Sequence, residues 1–146
     1  GPLRPPPPSI GRVDRGLAWR GETHGLVRVA DTPDGLAVRV DRDGGALGNP
    51  FVMGGEATRD AVCDAYAEAL EAASSGGATD VREIARRHGV RVHEAWVVRW
   101  GTMRGAIEAI DAVVRCADCA VQLACHCDPR RCHAWEIAAH VCARRG

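Results

Sequence analysis

The chain has 146 residues, of which 46% are hydrophobic and only 4% aromatic. This length is typical of one ordinary domain, with a core built mainly from aliphatic residues, alanine and cysteine. The formal net charge is zero and the 19 basic residues are all arginines scattered along the chain, which disfavours a nucleic-acid-binding module.

Residues 1–24 are expected to form a proline-rich leader and an irregular lead-in, and residues 25–146 a single α/β domain. The first nine residues, GPLRPPPPS, are typical of an extended chain that buries nothing. Trp19 is expected to be a packing plug. Such a leader is what a domain excised from a larger parent chain would carry, and a homo-oligomer is the other association we consider.

Two strands are predicted at the start of the domain. Residues 26–30 and 36–42 alternate apolar and polar side chains with a period of two, and residues 32–35 between them have turn chemistry. Together they predict a β-hairpin. Residues 44–51, which end in the tetrapeptide GNPF, break the pattern and predict a loop.

Two helices are predicted after this loop. Residues 59–74 carry an apolar stripe at helical spacing, and Thr58 is the candidate N-cap. Asp80 and Glu83 have the spacing of a capping box, which would open a short helix that ends at Gly89.

Helix and strand signals alternate in the rest of the chain. Residues 90–100 are ambiguous, with a helix favoured after His93, whereas residues 103–115 have one apolar helical face. Residues 120–127 are a short apolar run typical of a buried strand, and residues 132–144 form the last helix. This alternation predicts an α/β fold, here a small, single-domain, Rossmann-like layered fold with a short central sheet flanked by helices.

Cysteine usage favours an intracellular, cytoplasmic protein. Seven cysteines are present, and six of them fall between residues 116 and 142. A secreted disulfide framework is normally even in number and spread along the chain. We find no signal peptide and no apolar run long enough to cross a bilayer, so no membrane partner is expected.

Residues 123–133, LACHCDPRRCH, concentrate three cysteines and two histidines. In a strand that continues to Cys127, the side chains of Cys125 and Cys127 point to one face and His126 to the other. The turn that follows leads into the N-terminus of the last helix, where free backbone N–H groups favour anions. This is the arrangement in which open α/β sheets bind ligands.

Cys132 and His133 are the candidate catalytic residues of this segment. A thiol at a helix N-terminus has its thiolate stabilised, so we expect the pKa of Cys132 to be lowered. His133 would act as a base or an ion-pair partner. Cys125, Cys127 and Asp128 are candidate ligand-binding residues, and the two thiols would also resolve an oxidised Cys132 in a redox variant of the site.

A metal site is the alternative. Cys125, Cys127, Cys132 and His133 would ligate zinc or iron, and Cys116 with Cys119 adds a C-x2-C pair upstream. The spacing does not match a zinc ribbon, which needs two separated pairs. Under this alternative the domain is a non-catalytic structural or interaction module; a third interpretation treats it as a degenerate interaction domain with small cysteine side chains as core fillers.

The tetrapeptide GNPF, a following helix that contains Tyr66, and the segment LACHCDPRRCH together resemble the uncharacterised family called domain of unknown function 4326. The resemblance covers residues 26–141 and implies the domain bounds and the pocket, but no reaction. Asp41 departs from the pattern, which has glycine before the arginine. The matching positions are Arg42, Gly48, Asn49, Pro50, Phe51, Tyr66, Cys125, Cys127, Pro129, Cys132 and His133.

The GNPF loop offers a second set of ligand-binding candidates. Arg42 supplies a planar fork for a phosphate or carboxylate, Asn49 supplies a donor and an acceptor, and Gly48 allows close backbone approach. If this loop meets the cysteine segment at one edge of the sheet, one pocket combines both sets. We therefore predict binding of a small anionic molecule, nucleotide-like or phosphorylated, with thiol-dependent hydrolysis or group transfer as the reaction class if the site is catalytic.

Overall fold

The structure is a computed structural model, and it describes residues 6–77, 79–116, 119–127 and 130–145. Strands predominate in the first part of the chain and helices in the second. The strands are β1 (Ser9–Arg12), β2 (Arg20–Glu22), β3 (Val27–Thr32), β4 (Gly35–Arg39), β5 (Phe51–Val52), β6 (Arg91–Val92) and β7 (Ala120–Cys125). The helices are α1 (Arg59–Ser74), α2 (Val81–His88), α3 (Glu94–Trp100), α4 (Arg104–Val114) and α5 (His133–Arg145).

The main sheet has five strands in the order β1-β7-β4-β3-β2. β7 is parallel to both of its neighbours, β1 and β4, whereas β3 is antiparallel to β4 and to β2. β5 and β6 form a separate antiparallel pair. The predicted α/β class is confirmed, but the sheet is mixed, and a Rossmann-like layout of the whole sheet is not established.

The predicted irregular lead-in is wrong where it forms two edge strands. β1 pairs with β7 from Ser9 to Arg12, and β2 pairs with β3. Both strands are short and largely exposed, so they lack the alternation of apolar residues that predicts a strand. Trp19 is half-buried beside the guanidinium of Arg39, 5.6 Å from its ring centroid. The domain division between residues 24 and 25 stays a prediction.

The predicted hairpin and the helix that ends at Gly89 are confirmed. β3 and β4 pair directly across a tight turn. α2 begins after Asp80, whose carboxylate accepts hydrogen bonds from the backbone N–H groups of Arg82 and Glu83 at 3.1 and 3.2 Å. It ends at Gly89, which has a left-handed backbone with φ of 68°. The Glu83 side chain pairs with Arg86, so it does not complete a capping box.

Two helix starts and the end of the last strand differ in detail from the prediction. α1 has the predicted bounds, but the Thr58 hydroxyl bonds the preceding turn at Gly54 and Gly55 instead of capping the helix. β7 ends at Cys125, two residues earlier than predicted, and α5 begins at His133. The described residues between them, 126–127 and 130–132, therefore do not continue the strand.

The core lies between the sheet and the helices α1, α4 and α5, which also contact one another. Tyr66 of α1 is fully buried and donates a hydrogen bond to the carbonyl of Leu47 at 3.1 Å. This bond fixes the start of the GNPF loop on the core. None of the described helices has the length and apolar character that crossing a membrane would require.

Candidate functional site

The carboxyl ends of β1, β4 and β7 meet at one edge of the sheet. The pairing of these parallel strands extends past their ends, because Val13 N–H donates to the Cys125 carbonyl at 3.1 Å and Val40 N–H to the Ala124 carbonyl at 3.0 Å. The residues that follow β4 and β7 therefore emerge side by side. Ligands of open α/β sheets bind at such an edge.

A cavity of about 310 Å³ opens at this edge. It brings together the GNPF loop and the cysteine segment, as predicted from the sequence. Gly48 does not line the cavity, and Asp128 falls outside the described residues. The roles of the predicted residues stay predictions, but six of them line this one cavity: Arg42, Asn49, Cys125, Cys127, Cys132 and His133.

The GNPF loop is folded around Arg42. The Arg42 guanidinium donates from Nε to the carbonyl of Asn49 and from Nη2 to the carbonyl of Phe51, both at 2.9 Å. The Asn49 side-chain oxygen accepts from Phe51 N–H at 2.9 Å, which closes the turn. A Cβ atom on Gly48 would lie 2.7 Å from the Arg42 Cα atom, so only glycine fits there. Arg42 is thus held in place by backbone.

The charge of Arg42 has no acidic partner among the described residues. Its hydrogen bonds are with backbone carbonyls, and partial burial lowers the pKa of its guanidinium while the nearby Cys127 side chain raises it. A guanidinium placed without a carboxylate attracts an anion. Of the two described arginines that line the cavity, Arg42 and Arg59, only Arg59 is therefore paired with a carboxylate.

Arg59 lines the cavity opposite the loop. Its guanidinium binds the Glu56 carboxylate at 2.7 to 3.0 Å and donates to the Arg131 carbonyl at 2.8 Å. The hydrogen bond with Glu56 is the main cause that raises the pKa of Arg59, and a side-chain hydrogen bond with Cys127 adds to it. Cys127 is half-buried. Its side chain interacts with both Arg42 and Arg59.

The cavity is lined by the buried carboxylate of Asp41 and by the imidazole of His126. Asp41 is 8% exposed and binds Arg39 through two hydrogen bonds of 3.0 and 2.6 Å. Its second oxygen also contacts His126 Nε2 at 2.8 Å. Burial raises the pKa of Asp41, but the hydrogen bonds from Arg39 and His126 outweigh it, so the pKa is lowered overall. The carboxylate therefore stays charged and orients the His126 ring.

The orientation predicted for His126 is wrong. The imidazole lines the cavity together with Cys125 and Cys127, instead of pointing to the opposite face of the sheet. The strand alternation that would separate them stops at Cys125, where β7 ends. His126 is half-exposed, with 50% of its side chain accessible.

His133 has a different environment. It is 8% exposed, its ring packs 4.9 Å from the Tyr66 ring, and its Nε2 donates to the Val40 carbonyl at 2.5 Å. Burial lowers the pKa of His133 to about 4. A neutral imidazole bonded to backbone ties α5 to the end of β4, and these contacts favour His126 over His133 as the acid–base group.

The expected lowering of the Cys132 pKa is wrong. The Cys132 thiol donates to Cys125 Sγ at 3.4 Å, and this hydrogen bond, followed by burial, raises the pKa of Cys132. The backbone N–H of Ala134 acts in the opposite direction, as expected at a helix N-terminus, but its effect is smaller. The sulfur contact was not visible in the sequence, because it depends on how the turn folds back.

Across the described ranges, no group of three or more His, Cys, Asp or Glu side chains is placed to hold a metal ion. His133 Nε2 is hydrogen-bonded to the Val40 carbonyl. The upstream pair does not join the cavity, because Cys116 and Cys119 each hydrogen-bond a backbone carbonyl elsewhere. The described side chains therefore do not assemble the set of four zinc or iron ligands predicted under this alternative.

Sequence reasoning missed three residues of this cavity: Asp41, His126 and Arg59. Asp41 was noted only as a departure from a family pattern, although a charged residue directly after a buried strand is itself a signal of a site at the sheet edge. His126 lies within the cysteine segment but was assigned to the wrong face. Arg59 follows the GNPF loop at the start of α1, and no local pattern distinguishes it from a solvent-exposed arginine.

Comparison with known proteins bears on the family alone. Searches of curated proteins and of solved structures found no match. A family model for a domain of unknown function, DUF4326, matches residues 28–143. This range includes the GNPF loop, the helix with Tyr66 and the cysteine segment, so the resemblance drawn from those motifs is confirmed. The chain belongs to the DUF4326 family.

Proposed function

We propose that this domain binds a small anionic molecule, phosphorylated or nucleotide-like, in the cavity at the carboxyl ends of β4 and β7. The observation that carries the proposal is Arg42, a guanidinium that lines the cavity without an acidic partner among the described residues. Its fixed position means that little side-chain entropy is lost when an anion binds.

The hydrogen-bonding capacity of Arg42 supports this ligand class. A guanidinium has five N–H donors in a planar fork. The described contacts of Arg42 use Nε and one hydrogen of Nη2, so its remaining donors are available to phosphate or carboxylate oxygens. Arg59, which also lines the cavity and interacts with Cys127, adds positive charge. An anion at this place would meet two cations.

The location and size of the cavity also agree with a small ligand. Its volume of about 310 Å³ is at the lower end of the range for small-molecule sites. The parallel strands β4 and β7 lead into the cavity, and we take these two strands together with β1 to be the Rossmann-like element of the proposal. A nucleotide or a smaller phosphorylated compound fits these dimensions.

The reaction class that we propose for this site is hydrolysis or group transfer on the bound molecule. His126, oriented by Asp41 at 2.8 Å, would take a proton from the attacking group and return it to the leaving group. Cys127, half-buried and beside Arg59, would be the nucleophile, because the other thiols of the cavity, Cys63, Cys125 and Cys132, are buried. These two residues take the roles first assigned to His133 and Cys132.

Calorimetric titration of the whole chain tests the binding proposal. The probes are inorganic phosphate, ribose 5-phosphate and adenosine monophosphate, with ribose and adenosine as uncharged counterparts. We expect at least one phosphorylated probe to bind, and Arg42→Gln to weaken it about tenfold or more, as loss of a charged hydrogen bond predicts. The exposed Arg15→Gln is the matched control. Equal affinity of Arg42→Gln and the control would contradict the proposal.

The alternative proposal is a non-catalytic zinc- or iron-binding module built on the cysteine segment. The proximity of Cys125 and Cys132, with sulfurs 3.4 Å apart, is the observation in its favour. Elemental analysis of protein purified without a metal-affinity step decides it. About one metal per chain that protects Cys125, Cys127 and Cys132 from alkylation until a chelator is added would favour this module.

A further inference from the structure

Beyond anion binding, the cavity contains a pair of thiols in direct contact. We propose that Cys125 and Cys132 are a modification site at which a hydroperoxide forms an intramolecular disulfide. The inference does not depend on the proposed function, because it needs only the two sulfurs and access for a small oxidant.

The geometry of the pair favours bond formation. The Cys132 thiol donates to Cys125 Sγ at 3.4 Å, and both residues are thiols in this structure. A disulfide has sulfurs about 2.05 Å apart, so the distance must shorten by roughly 1.4 Å, which side-chain rotation can supply. Cys125 is the last residue of β7 and Cys132 directly precedes α5. Two regular elements therefore hold the backbones of the pair in position.

The pair is buried but not sealed. Cys125 is 2% and Cys132 3% exposed, yet both line the cavity that is open at the sheet edge. A molecule the size of hydrogen peroxide can reach them, whereas a protein oxidant cannot. Cys63 of α1 also lines the cavity. Burial raises the pKa of its thiol to about 11.

The reaction balances with one hydroperoxide per pair. The Cys125 sulfur, which accepts the hydrogen bond from Cys132, attacks the peroxide oxygen as its own S–H proton passes to the departing hydroxide. The O–O bond breaks, and Cys125 becomes a sulfenic acid as the first water leaves. Cys132 then attacks the Cys125 sulfur, the S–O bond breaks, and the second water carries away the Cys132 proton. Two thiols lose two electrons and hydrogen peroxide gains them.

The product would join the end of β7 to the start of α5. It closes a loop over residues 126–131, which contains His126 and Cys127 of the cavity wall. A bond at this place fixes the turn that shapes the proposed ligand site. Oxidation is therefore expected to raise the melting temperature.

Peptide mapping tests the pairing directly. The reduced whole chain is treated with increasing hydrogen peroxide, its remaining thiols are alkylated, and trypsin then separates residues 116–130 from residues 132–144. We expect a cross-linked pair of these peptides lighter by two hydrogens, with fragmentation placing the bond at Cys125 and Cys132. A reductant should restore alkylation of both cysteines, and their alkylation should fall at least tenfold before it.

Variants separate this pair from its neighbours. Cys125→Ser and Cys132→Ser should each abolish the cross-link, whereas Cys127→Ser and the exposed Cys142→Ser should retain it. Circular dichroism verifies that each variant folds. If a variant does not fold, the peptide map of the wild-type chain still locates the bond. A bond to Cys127 or Cys142 instead, or Cys125 and Cys132 that stay alkylatable while Cys142 is oxidised, would overturn the proposal.

Discussion

His126 and His133 belong to one short segment and line one cavity, but the structure gives them opposite surroundings. His126 is half-exposed and its Nε2 contacts the buried carboxylate of Asp41. His133 is buried against Tyr66 and donates to the Val40 carbonyl. A histidine held by a carboxylate beside solvent is suited to proton transfer, whereas one held by backbone inside the core is suited to joining two elements. Motif membership alone does not distinguish these roles.

The largest effect on the free energy of unfolding is expected when Asp41, the carboxylate that contacts His126, is replaced. Asp41→Asn removes the counter-charge of Arg39, whose side chain is 8% exposed, and it weakens the support of His126. Breaking one partner of a buried ion pair typically costs about 3–5 kcal/mol. We expect a loss of this size in the free energy of unfolding measured by urea denaturation. The exposed Asp34→Asn is the matched control and should change it little.

Acid is expected to destabilise the protein through protonation of His133. Its folded pKa of about 4 is below the ordinary value of 6.5, so the unfolded chain binds this proton more readily. The stability that neutral His133 contributes is complete above pH 6.5 and is lost as the pH falls towards 4, by roughly 3 kcal/mol. Asp41 adds a separate loss only below its ordinary value of 3.8, because its pKa is lowered.

Urea denaturation at a series of pH values between 7 and 4 measures this loss. His133→Asn retains a side-chain N–H for the Val40 carbonyl but cannot titrate, so its stability should be lower at pH 7 and flatter with pH. A His133→Asn profile as steep as that of the wild-type chain would assign the acid sensitivity to other groups.

The smallest effect on stability is expected for His126. The ring is half-exposed, and Arg39 remains bound to Asp41 when the histidine is replaced. His126→Gln should therefore cost about 1 kcal/mol or less in the free energy of unfolding. It should also leave binding of the phosphorylated probe within about threefold in calorimetry, since Arg42 carries the anion in the proposal. A loss as large as that of His133→Asn would remove the contrast between the two histidines.

The parts of the fold that follow local rules could be predicted. Alternating residues predicted β3 and β4, the apolar stripe predicted α1, and Asp80 with Gly89 marked the ends of α2. A pocket shared by the GNPF loop and the cysteine segment was predicted only on the condition that the two meet at one edge of the sheet, and the cavity has lining residues from both.

Features that depend on contacts distant in sequence could not be predicted. β1 is a strand because β7 offers it an edge, and its own residues carry little apolar pattern. The raised pKa of Cys132 depends on the Cys125 sulfur, which the turn brings back to 3.4 Å. The helix N-terminus does act to lower the pKa of the same thiol, as predicted, but its effect is smaller.

The parallel pairing of β4 with β7 has a consequence for how the protein folds. All of the chain that contains α1 to α4 intervenes between these two strands, and Asp41 and His126 are 85 residues apart when they meet. Closing so long a loop costs entropy before the contacts at its ends are made, which slows folding in topologies of this kind. The cavity is therefore among the last parts to assemble, and during synthesis on the ribosome it stays incomplete until β7 has emerged.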